Sequence, residues 1–154
     1  MSIGLVNECL RVYRHHSPNI SLAQNAEHIL SDFAEPIYLV TDGHKIVQQN
    51  KVRALQIEHY FKKVFITHRY GIKHAKPSTH CFGIIRREEG CEWSDMVYVG
   101  DNPAKDFVNL TPLGVLTIRV LTGEHRNVRT KTEFEATHVI ANLSELPILL
   151  KRML

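Results

Sequence analysis

Five short apolar runs, IYLVT (37–41), VFIT (64–67), MVYVG (96–100), VLTIRV (115–120) and THVIA (137–141), recur along this chain with longer mixed segments between them. A continuous apolar, partly β-branched run suits a strand that is buried on both faces. The segments from about His44 to His59, Ser78 to Glu89, Pro103 to Leu113 and Ser144 to Leu154 read as helices. Strands that alternate with helices predict an α/β fold, a parallel sheet with helices on both faces. Right-handed crossovers then bring every strand's C-terminal end to one edge, where such sheets bind ligands. Upstream, Leu5, Val6, Cys9, Leu10, Val12 and Tyr13 predict an amphipathic helix over residues 2 to 15. Ser21 is placed to cap a second helix that shares Leu22, Ala26, Ile29, Leu30 and Phe33 on one face, with Pro36 as its stop.

Composition narrows the function classes. With 154 residues and 44% hydrophobic content the chain can bury one sizeable core, so a single domain is expected, and neither a repeat nor a linker interrupts it. No stretch reaches the roughly 18 apolar residues of a membrane span, and the first residues carry neither a basic leader nor a small-residue cleavage site. The expectation is a cytoplasmic protein without a membrane partner. Cys9, Cys81 and Cys91 fall in no metal-finger spacing and are expected as reduced thiols packed in a core. The ten histidines form no HExxH or HxH and are expected mostly on the surface or in loops. A net charge of +3 is spread among carboxylates rather than gathered into a stripe, which argues against nucleic acid and suits a phosphorylated small molecule.

The strand ends concentrate the chemistry. After IYLV come Thr41, Asp42 and Gly43, a hydroxyl and a turn whose N–H groups can hold an anion. Lys76 precedes Pro77 and Ser78 at a helix start, so its charge is delivered from a fixed junction, with Lys73 as the nearby competitor. After MVYVG, Asn102 can cap and Pro103 can open a helix, leaving Asp101 at the strand tip and Asp106 in the first turn. Each of these is common as a plain turn or cap. All three on one sheet edge, in this order, are far more specific.

The stretches YLVTDG, GIKHAKP and VYVGDNPAKD, with EHYFKKVFIT, LGV and THVIANLSELPILL, resemble the haloacid dehalogenase-like (HAD) hydrolase superfamily over roughly residues 20 to 154. The likeness is to the C-terminal portion of a phosphatase with a C1-type helical cap. It implies a Rossmann-like core over residues 21–154, with residues 1–20 as a remnant of the cap. It also implies that Thr41 hydrogen-bonds a transferring phosphoryl group with help from the Asp42 and Gly43 backbone, and that Lys76 neutralises it. Asp101 would ligate Mg²⁺, and Asp106 would order the metal's waters or Lys76. Phosphoryl transfer needs charge stabilisation and positioning above all, which such a set supplies.

One part of the family pattern is missing. Its first motif, DxDx[TV], follows a strand that lies mid-sheet and carries the nucleophile, yet none of the five aspartates here stands in a D-x-D. Asp42 follows the wrong strand to replace it. Without the usual first central strand, the strands ending in Thr41 and Asp101 are expected to pair directly, or to accept a strand from a second copy or a partner chain; an open gap would strand two rows of backbone polar groups. Mg²⁺ is expected to bind only weakly to Asp101 without a second carboxylate. The reading that follows is a truncated or split phosphatase, inactive alone. The alternative is a non-catalytic phosphate-binding or assembly domain.

Overall fold

The structure, a computed structural model, describes residues 2–23 and 25–153. Met1 and Leu154, the ends of the cap segment and of the last predicted helix, lie outside the described residues. Ten regular elements follow in order: α1 (Ile3–His15), α2 (Ala26–Ser31), β1 (Tyr38–Thr41), α3 (Lys45–Leu55), β2 (Lys63–Ile66), α4 (His80–Glu89), β3 (Val97–Gly100), β4 (Leu116–Val120), β5 (His138–Ile140) and α5 (Leu146–Met153). All five predicted strands form, within a residue of their expected limits. Among the described residues no helix is long and apolar enough to cross a membrane.

Three predicted helices differ, and of these α3 ends at Leu55, with Gln56 at a left-handed φ of 53°, instead of near His59. Ser21 caps nothing in α2; Asn25 adopts a left-handed φ of 64° and the helix begins only at Ala26. From Pro103 to Leu110 the chain makes successive turns, with a 3-10 turn at Thr111–Leu113, where an α-helix was expected. Phe107 O accepts from both Leu110 N and Thr111 N, and Pro112 has no N–H to continue a helical ladder. Cys81 is buried as expected, whereas Cys91 is half-buried and Cys9 is exposed on α1, no residue of which is buried.

The strands are all parallel but form two sheets, β1 with β2 and β3 with β4 with β5. Helices cover both faces. On one face, α4 supplies Cys81, Phe82 and Ile85 to a core that also holds Val40 of β1, Phe65 of β2 and, at its margin, Tyr98 of β3. A single helix thus underlies both sheets, and the Phe82 and Tyr98 rings meet edge to face at 4.9 Å. On the other face, Ile29 of α2 and Leu146 and Leu150 of α5 pack on Ile118, Val120 and Ile140.

Direct pairing of β1 with β3, one of the two expected outcomes, is not formed; β1 pairs only with β2, and β3 only with β4. Long side chains rather than a main-chain ladder span the separation at its C-terminal end, where Lys105 Nζ reaches Asp42 Oδ2 at 3.1 Å. The two facing strands are wetter than an interior parallel strand should be. Val97 is 41% exposed and the rest of β3 half-buried, whereas Thr117, Ile118, Arg119 and Val120 of β4 are all buried. The facing edges are thus left without strand partners among the described residues, at a place more open to solvent than the buried β4.

Candidate active site

The C-terminal ends of β1, β2 and β3 bring three of the expected segments together. Beyond β1, Asp42 acts as a bracket. Its Oδ1 accepts from Thr67 Oγ1 at 2.7 Å and from the Lys76 backbone N–H at 3.0 Å, while Oδ2 accepts from Lys105. Burial alone would raise its pKa, but the donors from Thr67, Lys105 and the Lys76 backbone outweigh it and hold the carboxyl below the usual range. Both oxygens are engaged, which removes Asp42 as a free nucleophile in this arrangement. Thr41 Oγ1 donates to Gln48 Oε1 at 2.8 Å. Gly43 has φ 133°, and a Cβ there would stand 2.9 Å from Gln48 Nε2, so the turn requires glycine.

Lys76, not Lys73, enters the site. Lys73 is exposed in a short turn, whereas the Lys76 side chain is 13% exposed and its Nζ donates to Asp106 Oδ1 at 2.7 Å and to Tyr98 Oη at 3.0 Å. Tyr98 in turn donates to Asp106 Oδ1 at 3.0 Å, closing a triangle. Burial acts to lower the Lys76 pKa, but the Tyr98 oxygen and the Asp106 carboxylate win and hold it well above the ordinary lysine value. Burial raises the Tyr98 phenol, with Asp106 adding to the effect against Lys76. The ammonium is therefore a fixed charge at any physiological pH.

Asp106 is almost fully enclosed, and its Oδ2 accepts from the Asp101 and Asn102 backbone N–H groups at 3.2 and 2.9 Å. Four donors leave it little capacity for a cation, so it serves to position Lys76 and the turn after β3. Gly100 makes room for it, because a Cβ there would fall 2.7 Å from Asp106 Oδ2. Asn102 Oδ1 caps the turn by accepting from Ala104 N. The Asp101 side chain makes no hydrogen bond or ion pair among the described residues, and Gly123 of the loop after β4 lies close enough that a Cβ added to it would stand 4.0 Å from Asp101 Oδ2. Among the described residues no three His, Cys, Asp or Glu side chains converge on a point that could hold a metal ion. Tyr98, Thr67, Gln48 and Lys105 are the partners that the sequence did not single out.

Known proteins are similar to this chain in sequence and in fold. The model for the haloacid dehalogenase-like hydrolase family matches residues 5–120. The chain is 25% identical over 148 residues to a glyceraldehyde 3-phosphate phosphatase from Methanocaldococcus jannaschii, covering 92% of this chain and 63% of that protein. A 2-haloacid dehalogenase from Pseudomonas syringae superposes with a TM-score of 0.77 at 23% identity, over 98% of this chain and 62% of its own. A HAD hydrolase from Bacillus subtilis, bound to magnesium, gives a TM-score of 0.71 at 22% identity, over 84% and 56%. The structural likenesses show the fold, and the chain spans less than two thirds of the length of each of these proteins. Because the family match takes in most of the chain, including every strand-end segment described above, the protein belongs to the haloacid dehalogenase-like hydrolase family.

Proposed function

We propose that this chain carries the phosphate-binding and charge-neutralising part of a phosphomonoester hydrolase, and that it is catalytically silent until a strand bearing a carboxylate completes the sheet. The observation that carries this reading is the open pair of edges, β1 and β3, on either side of a Lys76–Asp106–Tyr98 cluster that is already assembled. In this reading Thr41 Oγ1 and the N–H groups of Asp42 and Gly43 receive the phosphoryl oxygens, and Lys76 neutralises them. The first relative, a phosphatase of a small sugar phosphate by its name, supports a small phosphomonoester as the substrate class.

Magnesium fits this chain only in part. The ion takes about six oxygens and is usually held by one or two carboxylates with phosphate and water. Asp101 is the uncommitted carboxylate at the site, since Asp106 and Asp42 are spoken for by lysines and backbone. The described residues alone do not make a magnesium site, and a second carboxylate has to arrive with the missing strand. The open edges also favour a second reading, a non-catalytic domain that assembles with a partner through the same gap.

An aryl phosphate assay with magnesium separates the outcomes. The chain alone is expected to release no phosphate above background. Adding a polypeptide with an apolar strand ending in DxDx[TV] is expected to restore release, and Asp101→Ala to abolish it again. Turnover by the chain alone that Asp101→Ala removes would sink the silent reading. Strand binding without turnover would favour the assembly domain.

A further inference from the structure

Basic side chains gather on the flank of α3 that faces α1. Lys45, Gln49 and Arg53 recur at four-residue spacing and so lie along one stripe of the helix. With Arg69 they line a hollow of about 220 Å³, and a second hollow of about 290 Å³ is lined by His15, His16, Asn50 and Arg53 among others. Asn50 and Arg53 line both, so the two hollows adjoin along α3, and together they make up a basic cleft. No carboxylate lines either part.

The cleft has built walls. Asn50 Nδ2 donates to the backbone oxygens of Arg14 at 3.3 Å and His16 at 3.0 Å, fixing the end of α1 against α3. The Arg69 guanidinium is oriented by a hydrogen bond to Gln49 Oε1. Lys62, Lys63, Lys76, Lys105 and Arg119 all meet carboxylates, but Lys45, Arg53 and Arg69 make no ion pair among the described residues. The positive field is felt next door. His44 is held below the ordinary histidine pKa, first by desolvation and then by the charges of Arg14, Lys45, His68 and His15.

We propose that this cleft binds a small multiply charged anion, a phosphate or carboxylate group, through Lys45, Arg53 and Arg69. Forked guanidiniums suit the oxygens of such a group, and a concave site of this size suits a small molecule better than an extended polyanion. The inference rests on the cleft and not on the hydrolase reading. The anion has two sources. It is either the distal group of a ligand whose phosphate sits at Thr41 and Lys76, since α3 leads directly out of that turn, or an independent small anion.

Calorimetric titration of the whole chain with inorganic pyrophosphate tests this. The wild type is expected to bind with a Kd of about 1 mM or tighter, and an Arg53→Gln, Arg69→Gln double variant to bind at least about tenfold more weakly. Both residues are exposed, so the variant is expected to keep the wild-type melting temperature, and Lys45→Gln offers a second, milder probe. Thr41→Val, which leaves the buried Lys76–Asp106 pair intact, distinguishes the sources: unchanged binding assigns an independent anion, and a parallel loss assigns a ligand that bridges both sites. Failure of the wild type to bind, binding that ignores the double variant, or a DNA duplex held by the same residues with steep salt dependence would overturn the proposal.

Discussion

Lys76 and Asp106 show how much of the site depends on individual contacts. Replacing Asp106 with leucine leaves the Lys76 ammonium buried without a counter-charge and frees two backbone N–H groups. The expected cost is about 3–5 kcal/mol, read as a fall in the urea midpoint. A mutant as stable as wild type would mean that the lysine swings out to water. Asp42 makes a pH-dependent prediction. Its folded pKa lies below the unfolded value of about 3.9, so its contribution is present above that value and lost as pH falls through the depressed one. Asp42→Asn is expected to flatten the acid limb of a stability–pH curve, and an unchanged limb would refute the bracket role. Lys76 was legible from its junction with Pro77, Asp101 from the strand end that it follows and Asp106 from the turn after it. Tyr98 stayed hidden because an aromatic inside MVYVG reads as core, although it sits two residues before Gly100 and so shares that residue's side of the strand. Thr67 stayed hidden because its partner, Asp42, is 25 residues away.

At the level of elements, the strands were legible and the turns between them were not. An apolar run of four residues has few ways to be buried, whereas the segment after Asn102 reads as helical until Asn109, Thr111 and Pro112 are weighed as weak helix formers. The absent D-x-D announced a missing strand, but not that its place would stay open. Main-chain geometry makes that place testable. Leu116 N donates to Met96 O, so Met96, Tyr98 and Gly100 turn their backbone groups towards β4, and Val97 and Val99 turn theirs towards the gap. The Val97 and Val99 amides are expected to exchange with solvent much faster than those of β4, and to become protected when a strand peptide is added. Slow exchange in the chain alone would show that the gap is already filled.

For the whole molecule, the division into a cap remnant and a core becomes a question of burial. α1 buries none of its residues, and Ile3, Leu5, Val12 and Tyr13 are each more than half exposed. Removing residues 2–16 is therefore expected to shift the melting temperature by no more than about 4 °C, while weakening pyrophosphate binding by taking away one wall of the cleft. The same exposed face and the two open edges predict self-association that grows with concentration, measurable by sedimentation. A strictly monomeric chain across a hundredfold range would count against it. The Lys105–Asp42 contact links these scales. Half-exposed lysine and enclosed carboxylate stand across the mouth of the gap, the lysine as a stand-in counter-ion. If a strand bearing a carboxylate completes the sheet as proposed, that carboxylate would compete with Asp42 for the Lys105 ammonium. Strand capture would then be an exchange of ionic partners, expected to depend on salt and on the charge at position 42, with Asp42 setting the threshold that an incoming aspartate would have to pass.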